Sequence, residues 1–284
     1  MNKHLILLPL LLVVLAAPAQ RIQFTHTDSS QVAALLHKAA TTKGKPNWMV
    51  FFARSLKGRP YVAKTLEVNK QEQLIVNLRQ LDCTTYVENV LALTLCARNH
   101  QYDFNSFTAY LRKIRYQGGK VEYALRNHYF SQWIISNTSN HLVKEIQQPV
   151  PPFTETQRIS VDYMSRHPQL YPLMSTEKNA KARIKTMEQR LTGLTVRYIP
   201  KNALADSPLL RRTIHDGDIL AIVTRKPGLD TSHIGIAVWH KDGLHLLNAS
   251  QIRHKVVEEP LTLKAYMQQH PSQVGIRVIR VVGL

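Results

Sequence analysis

The chain has 284 residues, with 37 lysines and arginines against 19 acidic residues, a formal charge of +18, and two cysteines. It has no internal repeat, no low-complexity tract and no second long apolar run, which leaves one large domain, or one domain carrying a sizeable insertion. The basic excess favours an anionic partner, and nucleic acid would be the first guess, but the opening segment argues against it.

That segment has Lys3 and His4, an apolar run from Leu5 to Ala16, and then Ala17-Pro18-Ala19, and it reads as a secretory signal over 1–19 with cleavage before Gln20. The run is shorter than the about 20 residues that a membrane span needs, and no cysteine near the cleavage point offers itself for a lipid anchor. The expected mature chain, 20–284, is therefore periplasmic and without stable membrane insertion. The abundant polyanions there are cell wall, lipid surfaces and their fragments, not nucleic acid.

DSSQVAALLHKAA predicts a helix capped at Asp28 or Ser29, with Val32, Leu35, Leu36 and Ala39 on one face. A second helix from Pro46 to Lys57 is closed by Gly58. Gly58-Arg59-Pro60-Tyr61-Val62 then turns into an extended stretch, and Leu74 to Leu78 reads as a strand. In LDCTTYVENVLAL, residues 81–93, Asp82 is an N-cap, and Cys83, Tyr86, Val87, Val90, Leu91 and Thr94 recur at helical spacing. Cys83 thus occupies the first turn, where unpaired N–H groups and the helix dipole favour a thiolate. Cys96 follows about 20 Å along the same helix. A disulfide tolerates about 7 Å between Cα atoms, so both thiols should be free.

From Phe104 to Asn137 the pattern is helical but interrupted at Gly118-Gly119, and VEYALRNHYFSQWI predicts an amphipathic helix. QQPVPPF and RHPQLYP break the pattern before another helix from Ser175 to Leu194. These elements read as an insertion over about 100–210, mostly helical, within a single domain. The last third turns to strands: DGDILAIVT, SHIGIAVWH and LHLLNAS, the latter two joined through Lys241-Asp242-Gly243, then Val256-Val257 and GIRVIRVV. Helices first and an antiparallel sheet after them make an α+β arrangement.

A cysteine nucleophile needs a base and a group that holds the base in one tautomer. Among 13 histidines, His233 shares its strand face with Gly235 and Ala237, which leaves room for the helix bearing Cys83 to dock there. With Asp242-Gly243 as the turn, Ala237 pairs with Asn248, which puts Asn248 on the face of His233 and His245 on the other. Asn248 then lies about four residues, roughly 13 Å, from His233, and contact requires a shift of pairing by an even number of residues. Asp216 and Asp218 read as turn and strand-entry residues. His128, Tyr129 and Trp133 are candidates for substrate contact or core. No histidine or carboxylate spacing resembles a metal site.

A cysteine at a helix start, a histidine in a strand beginning SHIGI and a polar residue in LLNAS resemble the NlpC/p60 cysteine peptidases. GRPYVAKTLE, VNLRQLDCTTYVENVLAL, IRYQGG, RNHYFSQWI, YIPK, DGDILAI, GLDTSHIGIAV, HLLNAS and GIRVIRV together resemble more closely the N-acetylmuramoyl-L-alanine amidase-like branch of that clan. The resemblance implies a papain-like core, with Cys83 as nucleophile, His233 as base and Asn248 as the orienting residue. Tyr61 would be a donor to the substrate carbonyl or oxyanion. It also implies hydrolysis of the amide between N-acetylmuramic acid and L-alanine in muropeptides, without a cofactor. Many clan members have histidine at the third position, where this chain has Asn248. The commoner clan activity, D-glutamyl-diamino acid endopeptidase, is the alternative enzyme. A non-catalytic wall-binding module and a basic polyanion binder are the alternatives outside catalysis.

Overall fold

The computed structural model describes residues 22–283, so the signal expected over 1–19 lies outside the described residues. No helix among them is long and apolar enough to cross a membrane.

β1 (Ile22–Gln23) leads into α1 (His26–Thr41). The cap of α1 is Thr25, not Asp28 or Ser29: Thr25 and Asp28 form a reciprocal capping box. The buried Asp28 also accepts from the Leu78 N–H and pairs with Arg79. This claims the end of the strand expected over Leu74 to Leu78. Only β2 (Leu74–Ile75) remains, parallel to β1, and the chain turns at Asn77, whose side chain accepts from the N–H groups of Arg79 and Gln80. α2 (Trp48–Ser55) is capped by Asn47.

α3 (Cys83–Arg98) begins behind Asp82, in a capping box with Thr85. It does not bury a single face. Every residue from Thr85 to Ala97 is buried, because α1, α2 and α4 (Phe104–Arg115) surround it and the sheet lies beneath. Glu88 of α3 forms a buried ion pair with Arg115 of α4 at 2.6 Å, and Arg115 also donates to the Ile75 carbonyl. Removing one partner of such a pair costs about 3–5 kcal/mol. Both cysteines are free.

VEYALRNHYFSQWI is not one helix. A single 3-10 turn spans Tyr123–Leu125, and α5 (Phe130–Ser139) starts only at Phe130. Tertiary bonds override the helical pattern here: Arg126 pairs with Glu67 and Glu72, and the Asn127 N–H donates to the Arg115 carbonyl. The insertion is also less helical than expected, since it supplies β3 (Val143–Ile146), β4 (Glu155–Arg158) and β5 (Thr195–Pro200). Between β4 and β5 lie α6 (Tyr163–Arg166), α7 (Leu173–Thr176) and α8 (Ala180–Leu191).

After α9 (Pro208–Thr213) come β6 (Ile219–Thr224), β7 (Thr231–His240), β8 (Gly243–Ser250), β9 (Lys255–Glu258), α10 (Leu263–Gln268) and β10 (Gln273–Val281). The eight-stranded sheet runs β4-β5-β10-β6-β7-β8-β9, with β3 also on β10, and every pairing in it is antiparallel. One face, with Ile219, Ala221, Ile234, Ile236, Val238, Leu247 and Ala249, packs under α1–α5. The other, with Leu220, Ile222, Ala237 and Leu246, packs on Leu210 of α9 and on Leu263 and Met267 of α10. A third cluster, with Tyr129, Ile159, Met164, Leu173, Ile184 and Leu191, belongs to the insertion.

Candidate active site

Asp82 sets the position of the first candidate residue. Its carboxylate accepts from the Thr85 N–H at 2.8 Å and the Asp82 N–H donates to the Thr85 hydroxyl. α3 therefore starts at Cys83, which is half-buried and lines a cavity of about 200 Å³. The N–H groups of Ile234 and Thr84 and the Thr84 hydroxyl hydrogen-bond the sulfur. Burial, with the neighbouring Asp82 carboxylate, nevertheless pushes the thiol up to about 12. Burial thus opposes the thiolate that the helix start and these N–H donors favour.

The strand register brings His233 and Asn248 together. Trp239 pairs with Leu244 and His240 with Gly243, so the turn is Lys241-Asp242, not Asp242-Gly243. This is the required even shift, by two residues. His233 Nε2 lies 2.9 Å from Asn248 Oδ1, and Asn248 Nδ2 donates to the Leu246 carbonyl at 3.3 Å. The second bond orients the amide, so the imidazole proton sits on Nε2 and the Nδ1 lone pair stays free. Burial lowers the His233 pKa, opposed in part by the Asn248 bond, while His270 lowers it further.

Gly235 has a different role from the one expected. α3 docks on the opposite face, against Ile234, Ile236 and Val238. A Cβ at Gly235 would stand 2.8 Å from Leu246 and 3.0 Å from the Asn248 Cβ, so the space is filled by Leu246 and by the approach of Asn248 to His233. Cys83 and His233 share the cavity instead at the start of β7, where the sulfur receives the N–H of Ile234 and both side chains are part of the lining. A β-bulge leaves Ser232 unpaired between His233 and Thr231, and such bulges re-aim side chains beside sites.

Tyr61 is half-buried against the same core, and its backbone is held by the His254 carbonyl and a bridge to Leu81. Burial raises its pKa to about 12, with Cys83 and Asp82 contributing. His128 and Tyr129 both line the cavity. His128 Nε2 is engaged with the Tyr123 carbonyl at 2.7 Å, and Tyr129 donates to Glu188. Trp133 is core.

Other lining residues were not anticipated: Asn127, Tyr163, Tyr171, Asp230 and Ser232. Asp230 is buried and ties α5 to β7, accepting from the Ser131 N–H at 2.6 Å and the Thr231 N–H at 2.8 Å. Asn127 Oδ1 and Ser232 Oγ are buried polar atoms without a protein partner. Only the adjacency of Asp230 and Ser232 to His233 in DTSH could have flagged any of them.

The family model described as N-acetylmuramoyl-L-alanine amidase-like (AmiA-like) matches residues 51–276. A solved N-acetylmuramoyl-L-alanine amidase from Bacteroides uniformis is 38% identical, with 82% of this chain and 97% of that chain covered and a TM-score of 0.76. A Bacteroides fragilis structure provisionally named a xylanase is 38% identical, with 81% and 98% covered and a TM-score of 0.74. A Legionella pneumophila protein, 24% identical with 90% and 94% covered, shares the fold at a TM-score of 0.68. No curated protein shows a match. On the extent of the family match and of the identity to the Bacteroides proteins, the chain belongs to the N-acetylmuramoyl-L-alanine amidase-like family.

Proposed function

We propose that the protein is a periplasmic cysteine amidase on a papain-like NlpC/p60 core, cutting the amide between the lactyl group of N-acetylmuramic acid and L-alanine in peptidoglycan fragments. The observation that carries this reading is the shared cavity of Cys83 and His233, with the histidine held by Asn248 through Nε2.

The resting pair is neutral, so His233 Nδ1 takes the thiol proton as the sulfur attacks the lactyl carbonyl. In this reading the backbone N–H of Cys83 and the Tyr61 hydroxyl, whose charge state is coupled to Cys83, donate to the oxyanion. His233 then gives the proton to the departing L-alanine nitrogen, leaving a thioester on Cys83. A water, deprotonated by His233, hydrolyses it to free the muramic acid carboxylate and the thiol. Tyr129, Phe130, Tyr163 and Tyr171 supply aromatic walls for the sugar.

Glycoside hydrolysis, suggested by the Bacteroides fragilis name, needs two carboxylates flanking the bond. The one carboxylate lining this cavity, Asp230, is bound to the N–H groups of Ser131 and Thr231. Mass spectrometry of a defined muropeptide after digestion tests the proposal. Sugar plus intact peptide is expected, with none formed by Cys83→Ala. A dipeptide left on the sugar would favour the endopeptidase, and undiminished turnover by Cys83→Ala would end the cysteine mechanism. Binding without turnover, with Cys83 inert to a thiol probe, would favour a wall-binding module.

A further inference from the structure

The β7–β8 ribbon carries a second group of histidines at the end remote from His233. We propose that His240, Asp242 and His245 bind one divalent transition-metal ion of the zinc class. One ring nitrogen of each histidine and a carboxylate oxygen of Asp242 lie within 4.8 Å of one another. No sequence spacing suggested this. The two-residue turn creates it, by placing Asp242 between His240 and the diagonal His245.

Hydrogen-bond accounting points the same way. His245 is buried, and its Nδ1 lies 2.8 Å from the Glu259 carbonyl oxygen, an acceptor only, so this nitrogen carries the proton. The other nitrogen, Nε2, then faces Asp242 Oδ1 at 3.0 Å with a lone pair. Two acceptors in that position require a cation between them, either a second ring proton or a metal ion. His240 has the matching arrangement: Nε2 lies 2.6 Å from Glu258 Oε1, a carboxylate also bound by Arg54 and Lys57. With the proton on Nε2, His240 keeps Nδ1 as a donor to a metal. Histidine ligands are commonly oriented by such outer bonds to a carboxylate or backbone carbonyl.

Ligands about 2.0–2.2 Å from an ion stand roughly 3.0–3.5 Å apart, so the His245–Asp242 pair already has the required separation. The His240 ring now stacks on His245 at 4.2 Å and 22°, and must rotate off the stack to complete the set. Its side chain is 38% exposed and Asp242 is 64% exposed, against 3% for His245. One rigid ligand and two adjustable ones thus face solvent, with a coordination position left for water. Two imidazoles and one carboxylate suit zinc, copper or nickel better than magnesium or calcium. The site stands apart from Cys83 and ties together the two strands that carry His233 and Asn248.

The test is a Zn²⁺ titration of chelator-treated protein by calorimetry, with Co²⁺ absorbance reporting the ligand set. One ion per chain is expected, bound at least tenfold more weakly by Asp242→Ala and by His240→Ala and equally well by Cys83→Ser. Zn²⁺ should raise the melting temperature of the wild type but not of Asp242→Ala, whose exposed turn position leaves folding intact. No saturable uptake up to millimolar Zn²⁺, uptake undiminished in both hairpin variants, or loss of the ion in Cys83→Ser would overturn the proposal. The first result would leave a second proton as the cation between His245 and Asp242, and the last would place the metal at the thiol.

Discussion

The two ends of the β7–β8 ribbon both carry histidine, and they differ in what each imidazole meets. At one end the half-buried His233 lies beside a neutral amide, Asn248, and desolvation holds its pKa low. At the other, His240 and His245 meet the carboxylates of Glu258 and Asp242. An amide fixes the tautomer without adding charge, whereas a carboxylate adds a negative charge beside the ring. The partner across the ribbon, and not the histidine itself, thus distinguishes the two proposed roles, proton shuttle and cation-binding group.

The largest effect that can break this comparison is His233→Ala, expected to lower kcat for muropeptide hydrolysis by about 10²- to 10⁴-fold. His240→Gln should leave kcat within about twofold, and equal losses at both ends would erase the distinction. Next is the amide: Asn248→Ala removes one hydrogen bond to the base, which costs about 1–3 kcal/mol, or about fivefold to 150-fold in kcat.

Its pH profile sharpens the point. Because the folded pKa of His233 is lowered, the neutral base persists below the usual imidazole value, and the acid limb of kcat/KM should fall below about 6.5. Asn248→Asp should move that limb upward by adding a negative charge. With the Cys83 thiol near 12, alkylation of the free enzyme should keep rising from pH 7 to 10. A plateau below pH 7 would instead reveal a preformed thiolate.

Gly235→Ala forces a Cβ against Leu246 and Asn248 and should destabilise the fold by about 1–3 kcal/mol, read as a lower midpoint in urea. The smallest effect belongs to the exposed end. His240→Gln removes one partially exposed pair with Glu258, which keeps Arg54 and Lys57, and should cost under about 1 kcal/mol.

Much of this arrangement was legible in LDCTTYVENVLAL and in the strand alternation around His233, because caps and period-two patterns are local. The face shared by His233 and Asn248 followed from parity alone. The turn residues did not, since Lys241-Asp242 and Asp242-Gly243 are both plausible two-residue loops and differ by the two positions that decide contact. The docking face of α3 was misread because Gly235 looks empty in sequence and is filled by Leu246 in space. In the insertion, distant carboxylates claimed Arg126 and broke a pattern that locally favours helix. Asn127, Tyr163 and Tyr171 reach the cavity from separate segments, and no spacing links them.

The insertion has a core of its own, and Tyr129, Met164 and Tyr171 face the cleft from it. Cys83 packs instead against the cluster beneath α3. Because the two clusters have no buried side chain in common, substitutions in the cleft wall remove no side chain from the core on which Cys83 rests. The shape of the cleft can therefore change without rebuilding the floor that holds the sulfur.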